Sequence, residues 1–325
     1  MMLSPLGRTL CFALVSGAAL QLALEFLLWC LTPSLAAMDI RGSVRRVERR
    51  LLARTLSARL LPWIVALGLL VPAYLRGEDN AAPERVGWLC ILSAVAVLAW
   101  LGLTLTRAAM LSVRVGRLCR SCCSTGRVIE GYPVLEHGES RSLMAVAGML
   151  RSRLVVSSNL LSADGQGDAG LTVAFRHEAA HAAHRDNLKL FLLAILPSPQ
   201  IATAASPSLQ DNWRLAAELA ADEESTQGDA RLSLRLAEVL VTLARVGHPV
   251  ASAGMATLLA SSCHLEVRVR RLVGRATASS DAAAPHDATD TPVLMVLAIA
   301  VGCAAITSAC LVYGHPTAEL LLHLL

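Results

Sequence analysis

Lysine is almost missing from this 325-residue chain, with Lys189 the only one. Aromatic residues make up 4% and charged residues 17%, against the roughly 25% charge of ordinary soluble domains. Together with 54% hydrophobic residues and a mean hydropathy of +0.54, this shortage of charge excludes both disorder and an ordinary cytosolic enzyme. The formal charge of +4 is carried by arginines scattered through several segments, so the pI of 8.7 marks no nucleic-acid patch, and no nucleic acid is expected as a partner. Cys11, Cys30, Cys90, Cys303 and Cys310 fall inside apolar runs, where cysteine acts as a small hydrophobe. That placement excludes a disulfide scaffold.

The apolar residues are gathered into long blocks. A membrane-spanning helix needs about 20 of them, and four blocks approach or reach that length: Leu10 to Leu31, Leu60 to Leu75, Val86 to Thr106, and Pro292 to Tyr313. The second is short and carries Pro62 and Pro72, which neighbouring helices can accommodate. The first ends at Thr32-Pro33-Ser34 without a clear cleavage site and is read as a retained helix. Glu25, inside it, is expected to face the bundle as a packing residue, because lipid exposure of a carboxylate is costly.

Arginines set the expected orientation. They crowd the loop after the first block (Arg41, Arg45, Arg46, Arg49, Arg50, Arg54, Arg59) and the segment after the third (Arg107, Arg114, Arg117, Arg120, Arg127), which places both in the cytosol. The turn from Arg76 to Arg85 and the tail after Tyr313 then lie outside, as do both termini. The expected organisation is a membrane region over 1–106, a cytosolic domain over 107–275, a polar linker over 276–291, a last span over 292–313 and a short external tail over 314–325. Any chemistry belongs to the cytosolic block, the only one of ordinary domain size.

From Leu171 the chain reads LTVAFRHEAAHAAHRDNL, free of Gly and Pro, and is expected to form one helix. Within it stands His177-Glu178-Ala179-Ala180-His181. Residues four apart share a helix face, so both imidazoles can reach one ion, and Glu178 can serve as general base on an attacking water. A second helical segment, Trp213 to Ser225, supplies Glu218 and, one turn on, Asp222. Glu218 would complete three protein ligands and leave a fourth position open, the pattern of a catalytic zinc, one per chain. Asp222 could hold a ligand histidine by its other ring nitrogen. His184 lies about 10 Å along the helix from His177 and cannot share the ion. Asp186 is assigned to the helix end or a nearby arginine, and Glu223 and Glu224 to the solvated face. Cys119, Cys122 and Cys123 have metal or redox spacing, but no second ligand pair lies nearby. His248, His264 and His286 are read as surface or packing histidines.

The order of three helices, an arginine-rich segment, GMLRSRLVVSS, HEAAH running into HRDN, AELAADE and a last helix resembles the BlaR/MecR-type bacterial membrane metallopeptidases. The specific part runs from Gly148 to Asp222, and the HtpX and CAAX prenyl protease family is a close second. The resemblance implies a mainly α integral membrane protein of the bacterial inner membrane, multi-pass, with an inserted α+β zincin-like (gluzincin) domain. It implies zinc on His177, His181 and Glu218, water activation by Glu178, and a strand at Leu154, Val155, Val156 and Ser157 beside the active-site helix, either with an exposed edge that could hold substrate backbone or as an internal strand with no part in binding. The segment Cys263 to Arg275 is a family-like feature without assigned chemistry, read as a basic helix on the membrane surface. Unlike in the sensors of that family, no penicillin-binding domain is expected after the last span.

The expected activity is that of an integral-membrane zinc endopeptidase acting on a cytosolic or membrane-associated protein. A repressor, a membrane protein fragment and the chain itself are all within reach, in signal transduction or regulated proteolysis. Alternatives are an HtpX-like quality-control protease, a catalytically weak scaffold binding a cytosolic regulator, and a transporter with a chance motif. The apolar run Leu188 to Leu196 is read as the end of the active-site helix or a membrane-skimming piece, and Asp229 to Val246 as a core helix.

Overall fold

The computed structural model describes residues 4–32, 34–35, 43–77, 86–138, 144–158, 160–161, 169–202, 207–245 and 262–277. The expected fourth span, most of the linker before it, the tail, His248 and His286 lie outside them. Among the described residues three helices are long and apolar enough to cross a membrane, Pro5–Leu31, Val44–Arg76 and Trp88–Ser121.

Helix α1 (Pro5–Leu31) starts where Ser4 accepts the Gly7 N–H at 3.2 Å and Pro5 occupies the first turn, where its missing donor costs nothing. The second helix begins sixteen residues before the expected Leu60. Its α2 part (Val44–Val65) passes through a π-helical turn (Ala66–Leu70) into α3 (Val71–Gly77), so the chain does not break at Pro62 or Pro72. The stretch read as an arginine-rich loop is therefore helical from Val44. Its buried residues Val44, Glu48, Leu51, Thr55, Ala58, Pro62 and Val65 recur every three or four positions, one helical stripe with the arginines mostly around it.

Helix α4 (Trp88–Ser121) overruns the expected Thr106 by about four turns and carries Arg107, Arg114, Arg117 and Arg120 along its extension. Leu22, Phe26, Leu60, Ile64, Leu67, Leu92, Val95 and Leu98 are all exposed on these helices, an apolar surface suited to lipid. Where α1 crosses α2, a Cβ on Gly17 would stand 2.8 Å from the Trp63 ring, so only glycine permits that approach.

The small sheet has the order β1-β2-β4-β3. Strands β1 (Cys123–Ile129) and β2 (Tyr132–His137) are antiparallel, β2 and β4 (Arg153–Ser157) parallel, and β3 (Met144–Ala147) and β4 antiparallel. Strand β4 is thus central, and Leu154, Val155 and Val156 are fully buried. Glycine at 148 is required by the turn after β3, where φ is +96° and a Cβ would collide with the Arg151 carbonyl oxygen.

Five helices complete the described fold: α5 (Ala169–Ala183), α6 (Asp186–Ile195), α7 (Leu209–Thr226), α8 (Ala230–Arg245) and α9 (Ser262–Thr277). One sheet face packs Val134, Val146, Leu154 and Val156 against Leu171 and Phe175 of α5. Helix α7 lies along α2 and α6 around fully buried Trp213, with Val44, Leu51, Leu190 and Leu193. Burying such side chains contributes about 1.5 to 3 kcal/mol each. The apolar run Leu188 to Leu196 accordingly lies mostly in a separate helix that packs into the core, not in a continuation of α5.

Polar groups of the long apolar helices α1 and α2 grip the segment after α6. Gln21 donates to the Pro197 carbonyl and accepts from Trp63 Nε1, Ser198 donates to Glu25, and Arg59 donates to the Leu193 carbonyl and to Gln210. Glu25 is buried against this segment rather than turned to lipid. The chain entering α7 is therefore held from both α1 and α2.

Candidate metal centre

Helix α5 puts His177 and His181 one turn apart, and α7 brings Glu218 across to meet them. The three buried side chains offer donor atoms that all lie within 4.8 Å of one another. Nε2 of His177 is 3.2 Å from Nε2 of His181 and 3.5 Å from Glu218 Oε2, and Nε2 of His181 is 3.7 Å from Glu218 Oε1. Ligands about 2.0 to 2.1 Å from a tetrahedral ion stand about 3.4 Å apart, so the three fit around one cation.

The other ring nitrogens point outward. His181 Nδ1 donates to Asp186 Oδ2 at 2.8 Å, and His177 Nδ1 lies 3.0 Å from Asp222 Oδ1, though not aligned as a good hydrogen bond. A proton on each Nδ1 leaves the two Nε2 lone pairs facing each other. A cation between them removes that repulsion.

Asp186 reaches His181 only because the expected single helix breaks. On a continuous helix, five residues correspond to 140° away from the starting face. Arg185 adopts a left-handed conformation, φ +53° and ψ +41°, ending α5 and starting α6 at Asp186. Asp186 thus serves a histidine rather than an arginine, and it also pairs with Lys189 at 2.7 Å.

Helix α9 supplies a group that the sequence reading left without chemistry. Arg268 donates twice to Asp222, at 2.7 and 2.9 Å, pairs with Glu218 Oε2 at 2.7 Å, and lies 3.4 Å from His177 Nε2. The segment Cys263 to Arg275 is therefore part of the site wall, a role the reading as a basic surface helix did not include. His264, Arg268, Leu272 and Arg275 share one face of α9, and buried His264 and Leu272 mark it as inward. That stripe was the available signal for Arg268.

Glu178 turns toward β3, its Oε2 accepting the Val146 N–H at 3.1 Å. Asn187 donates to the carbonyls of Val146 and Gly148, at 2.9 and 3.2 Å, tying the same strand to α6. Among the described residues the strand at the sheet edge beside that helix is β3, and the outward backbone groups of Val146 are taken by Glu178 and Asn187. Leu154, Val155, Val156 and Ser157 lie in β4, flanked by β2 and β3, and offer no exposed edge.

Electrostatics follow from this packing. Burial pushes the Glu178 carboxyl above its ordinary value, against the two histidines, which pull it down. Burial would also raise Glu218, but Arg268 and the histidines outweigh it and hold it at about 2. Burial would lower His177, yet Asp222 and Glu218 outweigh it and raise it to about 9. When ionised, Glu178, Glu218 and Asp222 carry three negative charges against Arg268 and the His177 proton; a divalent cation that displaces that proton balances the remainder.

The remaining candidates fall elsewhere. His184 pairs with Glu224 at 2.9 Å, and Glu224 also with Arg45 at 3.1 Å. Glu223 accepts the Val44 N–H at 3.1 Å and pairs with Arg275 at 2.6 Å. Neither glutamate is a merely solvated face; both tie α7 to its neighbours. Cys119 and Cys122 pack against Leu135, Ala147 and Val155, and Cys123 is exposed. No family model matches the chain, and no curated protein matches it.

Proposed function

We propose that the protein is an integral-membrane zinc-dependent endopeptidase, with His177, His181 and Glu218 as metal ligands and Glu178 as general base. The observation that carries this reading is the pairing of a His-His-Glu donor set with a carboxylate next to the first ligand. A structural metal site has no use for that extra carboxylate. Two imidazoles and one carboxylate suit zinc, which when bound supplies Lewis acidity toward a peptide carbonyl.

The protein groups then have distinct tasks. Glu178, with a raised pKa, accepts a proton from the attacking water and returns it to the departing amine. Asp186 and Asp222 orient the two histidines, and Arg268 fixes Glu218 and Asp222. An extended substrate segment that paired with the edge of β3 would displace Glu178 from the Val146 N–H and so release it toward the attacking water. The resemblance to BlaR/MecR-type and HtpX-type peptidases points the same way, toward a substrate in the cytosol or at the bilayer surface.

Cleavage of fluorescently labelled casein by detergent-purified full-length protein tests the proposal. Wild type is expected to cleave, and Glu178→Gln to fall by about 10²- to 10⁴-fold while still binding zinc. Equal cleavage by both would remove Glu178 from the mechanism.

A further inference from the structure

The sole lysine of the chain stands between the metal site and the second membrane helix. Lys189 Nζ donates to Asp186 Oδ1 at 2.7 Å and to Glu48 Oε1 at 3.0 Å. Asp186 in turn holds His181 through its other oxygen at 2.8 Å. Glu48 also accepts from Trp213 Nε1 at 2.8 Å, and its second oxygen has only Arg45 nearby, at 3.8 Å. Three successive contacts therefore run from α2 to a candidate metal ligand, and a fourth ties α2 to the helix that carries Glu218.

Both carboxylates in this chain of contacts are fully buried, and the Lys189 side chain is 19% exposed. Buried charges of this kind cost more to desolvate than apolar residues of the same volume, so packing strength alone does not account for them. The residue type is also particular. This is the one place where the chain uses a compact ammonium with three donors rather than the planar fork of arginine, and the ammonium bridges two carboxylates from different helices. Glu48 sits in the buried stripe of the same continuous helix, Val44–Arg76, that is long and apolar enough to cross the membrane. A rotation of that helix by one residue turns Glu48 by about 100° and breaks the bridge.

We propose that Glu48 is a positioning residue through which the second membrane helix sets the metal affinity of the site, acting by way of Lys189 and Asp186 on His181. With the bridge intact, Lys189 shares its charge between two carboxylates and fixes the rotamer of Asp186, which keeps the imidazole of His181 aimed at the ion. With Glu48 removed, Lys189 bears on Asp186 alone, and Asp186 becomes a poorer acceptor for His181. The inference rests on the metal-site reading above.

The test uses full-length protein in detergent, with zinc affinity measured by chelator competition and the visible spectrum recorded after loading with cobalt. Glu48→Gln keeps the shape and the acceptor for Trp213. It is expected to weaken zinc binding about tenfold and shift the cobalt bands. Asp186→Asn is expected to weaken zinc about 10- to 100-fold, with little further loss when Glu48→Gln is added, because the first acts through the second. If Glu48→Gln does not fold, Glu48→Asp draws the carboxylate back from Lys189 while keeping its charge and is expected to lower affinity and shift the bands in the same way. Unchanged affinity and spectrum in a folded variant, or full additivity with Asp186→Asn, overturns the proposal while leaving the metal site standing. Wild type that takes up neither zinc nor cobalt removes the site and the proposal together.

Discussion

The Nε2 atoms of His177 and His181 face each other at 3.2 Å, while their Nδ1 atoms turn away toward two different carboxylates, Asp222 and Asp186. Both Nε2 nitrogens and the Glu218 carboxylate can close on one cation, which takes the place of the proton that the raised pKa of His177 keeps there otherwise, so wild type is expected to purify with about one zinc per chain. His181→Ala, which removes one of the two lone pairs, is expected to retain little. Elemental analysis of the two proteins, each shown to be folded, decides the matter. Equal metal content would mean that the ion sits elsewhere.

Asp222 is bound by Arg268 through both oxygens and lies against His177. Asp222→Asn keeps the shape but weakens both contacts. Zinc affinity is expected to fall about 10- to 100-fold, with the apoprotein still folded. Arg268→Gln frees Glu218 as well as Asp222 and should produce a loss of similar size. If either variant bound zinc as tightly as wild type, the outer carboxylate and its arginine would have no part in aiming His177.

The parts of this site that were legible in the sequence are those fixed by helical spacing. His177 and His181 at four residues, and Glu218 and Asp222 at four, share faces by helix geometry alone. The role of Asp186 was not legible, because it depends on a break at Arg185 that no glycine or proline announces. Arg268 was hidden among neighbouring arginines, although its spacing from His264 and Leu272 set it on the buried face. The position of β4 was equally hidden. Its centrality depends on a parallel pairing with β2 about twenty residues away, which no local pattern encodes. The early start of α2 was legible in principle, since Val44, Leu51, Thr55 and Ala58 keep helical spacing through the arginines.

Gly148 closes the turn after β3 with φ +96°, and its carbonyl is one of the two held by Asn187. Gly148→Ala places a Cβ against the Arg151 carbonyl oxygen in a conformation that disfavours any side chain. The combined strain is expected to cost about 2 kcal/mol or more and to shift β3 relative to Glu178. Thermal unfolding in detergent should show the loss of stability, and cleavage should fall further than zinc content does. A variant as stable and as active as wild type would show that the turn can relax without moving the strand.

Asp186 also makes stability depend on pH in a defined window. Burial would raise its carboxyl, but His181 and Lys189 outweigh burial and hold it at about 2, below the ordinary 3.8. Because the folded value lies below the unfolded one, the ionised carboxylate stabilises the fold. That contribution is complete above the unfolded value and is lost as the pH falls through the folded one. The gap corresponds to about 2 kcal/mol. In chelator-treated protein, wild type should therefore exceed Asp186→Asn in thermal stability at neutral pH, and the difference should shrink steadily between about pH 5 and pH 2. Glu218, held at about 2 as well, titrates in the same window in both proteins, so only the difference between them reports on Asp186. A difference that stayed constant down to pH 2 would mean that Asp186 contributes through packing and not through its charge, and that the carboxylate is not the group aligning His181.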